Sequence, residues 1–289
     1  MAKVTIDGVR YELLKRTFTA RVDAVEREYK NMKSYTIPEE VTADGDTYRV
    51  TLIGAKAFNN CPLLEEVIIP DSVTEIESYE PVGDTIYSAF RNCTSLKSIT
   101  LPNKLTKIGI GAFYGCTGLT SITIPNSVTY LGGFSGCTGL TSITIPNSVT
   151  CLDGFNGCTG LTSITIPNSV TGLSGFYKCT GMKSIDIPSS VTYLNAFRNC
   201  SNLTSVIIEN EEGAVKIGEY AFKDTNAKIT YVGKPKDGAL RIMVEVPTLL
   251  ALLEGKASEQ EVQTLCLRVK DAGGDATEME KRLKKYISK

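Results

Sequence analysis

The 289-residue chain reads as a repeat solenoid, and three observations predict that fold class. The fifteen-residue phrase GCTGLTSITIPNSVT occurs unchanged at 115–129, 136–150 and 157–171, so its copies start 21 residues apart. Phenylalanines recur at Phe58, Phe90, Phe113, Phe134, Phe155, Phe176, Phe197 and Phe222, at intervals of 32, 23, 21, 21, 21, 21 and 25. Seven of the nine cysteines (Cys61, Cys93, Cys116, Cys137, Cys158, Cys179 and Cys200) hold one place in that register. A period of this length marks a unit too small to bury its apolar side alone, which gains a core only by stacking on its neighbours.

Within one unit Leu119, Ile122, Ile124, Val128, Leu131, Phe134 and Cys137 are expected to face inward, while Ser121 and Thr123 alternate outward with the period of a short strand. Pro125 ends that strand because it has no N–H for the next unit, and Asn126-Ser127 supplies the corner. Stacking places equivalent residues about 4.8 Å apart, and the cysteine column belongs to the small apolar part of the core, so it reads as buried thiols. Disulfides and a metal ladder are the alternatives. A single row of thiolates suits a tetrahedral metal poorly, and the chain has no His to complete a site, so no metal or cofactor is expected.

Residues 1–56 are expected to form a β-rich cap. Val4 to Leu14 gives two alternating runs about Asp7-Gly8, a strong hairpin signal, and a third run covers 17–25. Tyr35-Thr-Ile-Pro-Glu-Glu-Val41 then repeats the Ile-Pro-x-x-Val of the array, and Tyr48 to Ile53 follows a turn at 43–46. Such a cap covers the core and strand edge that a bare solenoid end exposes. The array is placed at 57–232. Its long first interval holds an insertion, about Glu77 to Ser88, that leaves the stack as a loop; its last unit has Thr225 in the cysteine place, and Lys228 to Val232 is the closing strand. Residues 233–289 read as a linker, Gly233 to Gly238, and a small helical module. A helix over Pro247–Glu254 ends at Gly255, Ser258-Glu-Gln-Glu261 is a capping box, and a third helix carries Met279, Leu283, Tyr286 and Ile287.

The reading Leu-x-x-Ile-x-Ile-Pro-x-x-Val-x-x-Ile-Gly-x-x-Ala-Phe-x-x-Cys, best seen from Leu96 through Gly118, resembles the BspA-like (treponemal) class of leucine-rich repeats over about 175 residues. The resemblance implies a curved leucine-rich-repeat β-solenoid, right-handed, with a parallel sheet on its concave side. It also implies a family in which many members are exported bacterial proteins that bind host or matrix proteins. The middle units are two residues shorter than the 23-residue form, a difference expected to fall on the convex side.

Charge and composition narrow the function. The net charge of −1 divides into about +1 on 1–56, −4 on 57–232 and +2 on 233–289, none of them a surface for nucleic acid. Between Gly109 and Tyr177 the one charged residue is Asp153, so Thr, Ser, Asn and Gly keep that stretch wet. Without His there is no Ser-His-Asp or Cys-His catalysis. Cys151 lies outside the cysteine column with no base nearby and reads as an exposed position that has drifted. Gly132-Gly133 and Gly115 to Gly118 are corners, not phosphate loops, and the basic run Lys281 to Lys285 is a solvated helix end. No 18-residue apolar stretch predicts membrane insertion, and the first residues lack a secretion-type apolar run. The expected place is the cytoplasm, or the cell surface if a leader was removed.

The outward strand columns are the candidate contact surface. One column reads Glu66, Ser98, Ser121, Ser142, Ser163, Ser184, Ser205; a second, two residues on, reads Ile68, Thr100, Thr123, Thr144, Thr165, Asp186, Ile207; a third reads Glu65, Lys97, Thr120, Thr141, Thr162, Lys183, Thr204. The centre is a uniform hydroxyl ladder, and Ser and Thr there also serve simply as good strand formers. Charge and exposed Ile appear at the ends, so specific contacts are expected from Glu65 to Lys97 and from Lys183 to Ile207. A curved face is poorly suited to ice or a crystalline polysaccharide. The expectation is a non-enzymatic protein-binding scaffold. Its alternatives are a rigid spacer whose helical module makes the contact, a surface adhesin, and an enzyme of unusual type dependent on a residue such as Cys151.

Overall fold

The computed structural model describes residues 2–77, 80–82, 85–211 and 213–232. The chain divides into two units, Met1–Gly233 and Lys234–Lys289, and the second, with the expected helical module, lies outside the described residues.

The N-terminal strands are β1 (Ala2–Ile6), β2 (Val9–Leu14), β3 (Thr19–Val25), β4 (Ser34–Thr36), β5 (Glu40–Ala43) and β6 (Asp46–Ile53). β1, β2 and β3 form an antiparallel meander whose first turn is Asp7-Gly8, both at positive φ of 47° and 75°, as that dipeptide favours. β6 closes a hairpin with β5 and runs parallel to β3.

The array follows as β7 (Glu66–Ile68), β8 (Glu75–Ile76), β9 (Glu80–Val82), β10 (Thr85–Tyr87), β11 (Ser98–Thr100), β12 (Lys107–Ile108), β13 (Tyr130–Leu131) and β14 (Cys151–Leu152). It ends with β15 (Gly172–Ser174), β16 (Ser184–Ile187), β17 (Tyr193–Asn195), β18 (Ser205–Ile208), β19 (Lys216–Ile217) and β20 (Lys228–Tyr231). One sheet runs through the whole described unit in the order β1-β2-β3-β6-β8-β12-β13-β14-β15-β17-β19, parallel from β3 onward. The cap and array thus share one ladder. The insertion leaves the stack as expected, but as an antiparallel hairpin, β9 with β10, rather than an unpatterned loop.

The continuous ladder is not on the Ser-x-Thr segments. There the strands pair only toward the ends, as β4-β7-β11 and β16-β18-β20, and between them one isolated bridge joins Thr123 to Thr144. The side-chain pattern nevertheless holds: Leu119, Ile122, Ile124, Val128, Leu131, Phe134 and Cys137 are all buried.

What holds the central rungs together is a set of side-chain columns. The phenylalanine rings from Phe58 to Phe222 stack with centroids 5.1 to 5.9 Å apart, close to the spacing of paired strands. Each Phe carbonyl from Phe90 to Phe176 accepts two hydrogen bonds, for example from the Cys137 N–H (3.1 Å) and the Cys158 Sγ–H (3.1 Å) at Phe134. The thiol of one rung therefore satisfies the second lone pair of a buried carbonyl in the rung before, from Cys93 on Phe58 to Cys200 on Phe176. Cysteine suits the place because it is apolar enough to bury and still carries a weak donor. In the last rung the Thr225 hydroxyl donates instead to Phe222 of its own rung. At the Pro corners Ser127, Ser148, Ser169 and Ser190 each donate to a carbonyl of the preceding rung at 2.6 to 2.7 Å.

The second residue after each Phe is left-handed in every rung: Asn60, Asn92, Gly115, Gly136, Gly157, Lys178, Asn199 and Asp224 have φ between 56° and 74°. Gly and Asn accept that conformation readily, whereas Lys178 holds it against the preference of a long side chain.

Candidate functional site

The outward columns divide by neighbourhood. At the N-terminal end the ladder sets Ile68 between Thr36 and Thr100, and Glu66 between Ser34 and Ser98. Glu65 and Lys97 pair with each other at 2.7 Å, and that hydrogen bond holds the Glu65 carboxyl below its usual range. These two side chains therefore satisfy one another at an exposed position. Ile68 stays 41% exposed, and Ser34 and Thr36 extend its surface by one more rung, an extension signalled by the Ile-Pro-x-x-Val echo at 37–41.

At the C-terminal end Asp186 lies opposite Ile207, which in turn lies opposite Thr230. Asp186 is half-buried; burial first and then the nearby Glu209 raise its pKa. Lys183 is exposed, and its backbone carbonyl accepts the Thr204 hydroxyl at 3.2 Å. In the centre Thr123, Thr144 and Thr165 are exposed, whereas Thr141 in the third column turns its hydroxyl onto the Thr120 carbonyl. The structure thus brings Glu65 with Lys97, Ile68 with Thr100, Thr123 with Thr144, and Asp186 with Ile207. It keeps the first and last of these groups at opposite ends of the array.

At Cys61, Cys116, Cys151 and Cys158 the surroundings disfavour chemistry at sulfur. Burial pushes Cys61 up to about 11 and Cys158 up to about 12, and raises Cys116 well above an ordinary thiol. Cys151 is exposed on β14 between Tyr130 and Gly172, and partial burial followed by the Asp153 charge raises it too, the wrong direction for a nucleophile.

A second cluster lies outside the strand columns. On the last rungs the Arg198 guanidinium lies 5.8 Å from the Tyr177 ring centroid and 5.5 Å from that of Tyr220. Lys178 lies 5.2 Å from Tyr177 and Lys223 5.4 Å from Tyr220. Both rings are exposed, at 37% and 45%. Tyr177, Arg198 and Lys223 each follow directly on a phenylalanine and so share a column, while Lys178 lies one place further on and Tyr220 two places before Phe222; the stacking of rungs brings the five together. A smaller counterpart, Arg91 over Tyr114 at 4.5 Å, occurs near the start of the array.

Among the described residues no helix is long and apolar enough to cross a membrane. No curated protein matches the chain. Among solved structures, a leucine-rich repeat protein from Bacteroides ovatus is 29% identical, over 80% of this chain and 71% of its own, with a TM-score of 0.48. One from Bacteroides capillosus is also 29% identical, over 50% of this chain and 97% of its own, with a TM-score of 0.42. The T. pallidum leucine rich repeat protein is 24% identical, over 75% and 86%, with a TM-score of 0.49. The sequence profile of the BspA type leucine rich repeat region matches in six copies, at 51–171, 85–194 and 134–237, which together cover well over half of the chain. With its phenylalanine and cysteine columns stacked rung on rung, the chain belongs to the BspA-type leucine-rich repeat family.

Proposed function

We propose that the protein is a non-enzymatic scaffold that binds another protein through the outward face of its array. The reading divides the chain into a cap at 1–56, an array at 57–232, and a linker with a helical docking module at 233–289, the array being a right-handed coil as parallel crossovers favour. The observation that carries it is the row of outward side chains on a rigid stack, ending in exposed Ile68 at one end and half-buried Asp186 with Ile207 at the other. Leucine-rich repeat proteins generally bind proteins, and a surface that repeats once per rung offers a long, preorganised contact at small entropic cost.

The test is affinity capture with the intact chain, followed by hydrogen-exchange footprinting of whatever is captured. Protection over 65–68, 97–100 or 183–207 supports the reading. Protection confined to 239–289 replaces it with the rigid-spacer reading, in which the module alone makes the contact. Background binding alone overturns both. Display at a cell surface is the setting in which such a scaffold acts as an adhesin, and surface labelling of intact host cells decides it.

A further inference from the structure

We propose that the cation–tyrosine ladder of the last rungs, Tyr177, Lys178, Arg198, Tyr220 and Lys223, is a docking site for an extended acidic protein segment. The proposal names a partner chemistry and a surface within the protein-binding reading and rests on it. The surface is distinct from the strand columns.

Charge is the first argument. The ion pairs among the described residues involve cations from Lys3 to Lys107, and none involves Lys178, Arg198 or Lys223. The acidic residues of the last rung, Glu219 and Asp224, form no ion pair with them either. Their partner is an aromatic face, which holds a flexible cation in place without neutralising it and leaves its N–H donors outward. Arg198, set between two rings, keeps its planar fork for a bidentate carboxylate.

Backbone cost is the second argument. Lys178 holds φ 59° at a place where six of the other seven rungs have Gly or Asn, so the fold tolerates a strained residue in order to carry its side chain. The geometry fits a short segment. The phenylalanines of these rungs are 5.5 and 5.9 Å apart, so three cations on successive rungs span about 11 Å, the reach of about four extended residues. Glu219 and Asp224 nearby disfavour a dense polyanion such as nucleic acid, whereas a peptide carboxylate can be registered one at a time.

The experiment measures binding of a fluorescein-labelled octapeptide of alternating Asp and Glu to the full chain by anisotropy, at low and moderate salt. Binding that weakens with salt is expected, and the triple substitution Lys178→Gln, Arg198→Gln, Lys223→Gln is expected to weaken it at least tenfold at an unchanged melting temperature. Lys104→Gln, a distant exposed cation, leaves it within twofold. Arg198→Lys loses severalfold because it keeps the charge and lacks the fork. Equal binding by the triple variant overturns the site. Binding of polygalacturonate through these residues without binding of the peptide overturns the partner class. No binding of either probe overturns the proposal while leaving the scaffold reading intact, since a captured partner can still footprint elsewhere.

Discussion

The three identical units and the rungs that flank them share one core but are joined differently. In the flanks the Ser-x-Thr segments pair as strands; in the centre they do not, apart from the Thr123–Thr144 bridge. Burial follows in part: Ile122, Ile143 and Ile164 keep 8 to 9% exposure where Val67, Ile185 and Val206 keep 0 to 3%, although Ile99 of the paired β11 is only half-buried. The corner before each strand differs in step. It holds Leu63, Ser95 and Asn202 where the strand ladders onto the rung before it, and Gly118, Gly139, Gly160 and Gly181 where it does not. At each of these glycines a Cβ would collide with the carbonyl of a threonine in the preceding rung: Thr94, Thr117, Thr138 and Thr159. A close corner and a paired strand are alternative ways to stack. The centre uses the corner, the Ser staple, the Phe stack and the thiol bond, and its pairing moves to the opposite sheet.

The largest expected break is at another close approach in a central rung, the glycine before its phenylalanine. Gly154 has φ of 85° and faces the Gly132 backbone, so Gly154→Ala adds a clash to a strained backbone and costs about 3 kcal/mol. Gly172, one rung on, has open space around it and an ordinary φ, so Gly172→Ala stays within about 0.5 kcal/mol of wild type. Urea unfolding of the two variants checks the pair, and equal losses would show that close backbone approach between rungs is not what holds the stack.

Next in size is the thiol column. Cys158→Ala leaves the Phe134 carbonyl with one partner in a dry interior and a small void, at a cost of about 1–2 kcal/mol, while Cys158→Ser keeps a donor and trades it against burying a hydroxyl. The comparison of interest is with Thr225→Ala in the last rung, where the hydroxyl bonds within its own rung and its loss does not uncouple two rungs. Chemical denaturation of the three variants separates a bond between rungs from one within a rung.

Acid distinguishes the N-terminal region from the centre. Asp23 is buried, which pushes its carboxyl up, but Lys3 at 2.8 Å and Arg10 at 2.7 Å outweigh this and hold it below its usual range. Its folded pKa is depressed, so the stability it contributes is complete above the unfolded value of about 3.9 and is lost as pH falls below that through the folded value. The central rungs contain no ion pair among the described residues. Hydrogen exchange near pH 3 is expected to show β1 to β3 opening before the rungs at 113–176, and simultaneous opening of both contradicts the assignment.

The core was legible because one signal, apolar residues at fixed places in a repeat, survives any detail of pairing. Leu119, Ile122, Phe134 and Cys137 need only be apolar and in phase to be placed inside. Strand pairing was not legible, because it turns on how closely a corner such as Gly139 approaches the carbonyl of another rung, and that is a distance between segments, not a pattern within one. The hairpin of the insertion did have a signal, Gly83-Asp84 between two short β-forming runs. Of the candidate surface, Ile68, Thr100, Asp186 and Ile207 could be named because they share a column. Tyr177 and Arg198 also share one, the place after each phenylalanine, but its residue type varies from rung to rung (Asn59, Arg91, Tyr114, Ser135, Asn156) and Tyr220 lies outside it, so only the finished stack shows which rings and cations meet.

The smallest effect tests whether that cluster is held at a cost. Asn60, Asn92 and Asn199 occupy the left-handed place without difficulty, so Lys178→Asn relieves strain and raises stability by about 0.5–1 kcal/mol, one of the few substitutions in the array expected to do so. The same change removes one of three unpaired cations, so affinity for an acidic peptide falls severalfold as the protein becomes harder to unfold. A variant of a central rung, Gly157→Asn, is the control: its backbone is already left-handed, φ 72°, and no cation is lost, so stability stays nearly level and binding is unchanged. Opposite movement of stability and affinity at Lys178, with neither moving at Gly157, is what a side chain retained for contact predicts, whereas a residue there by drift gains stability and loses nothing.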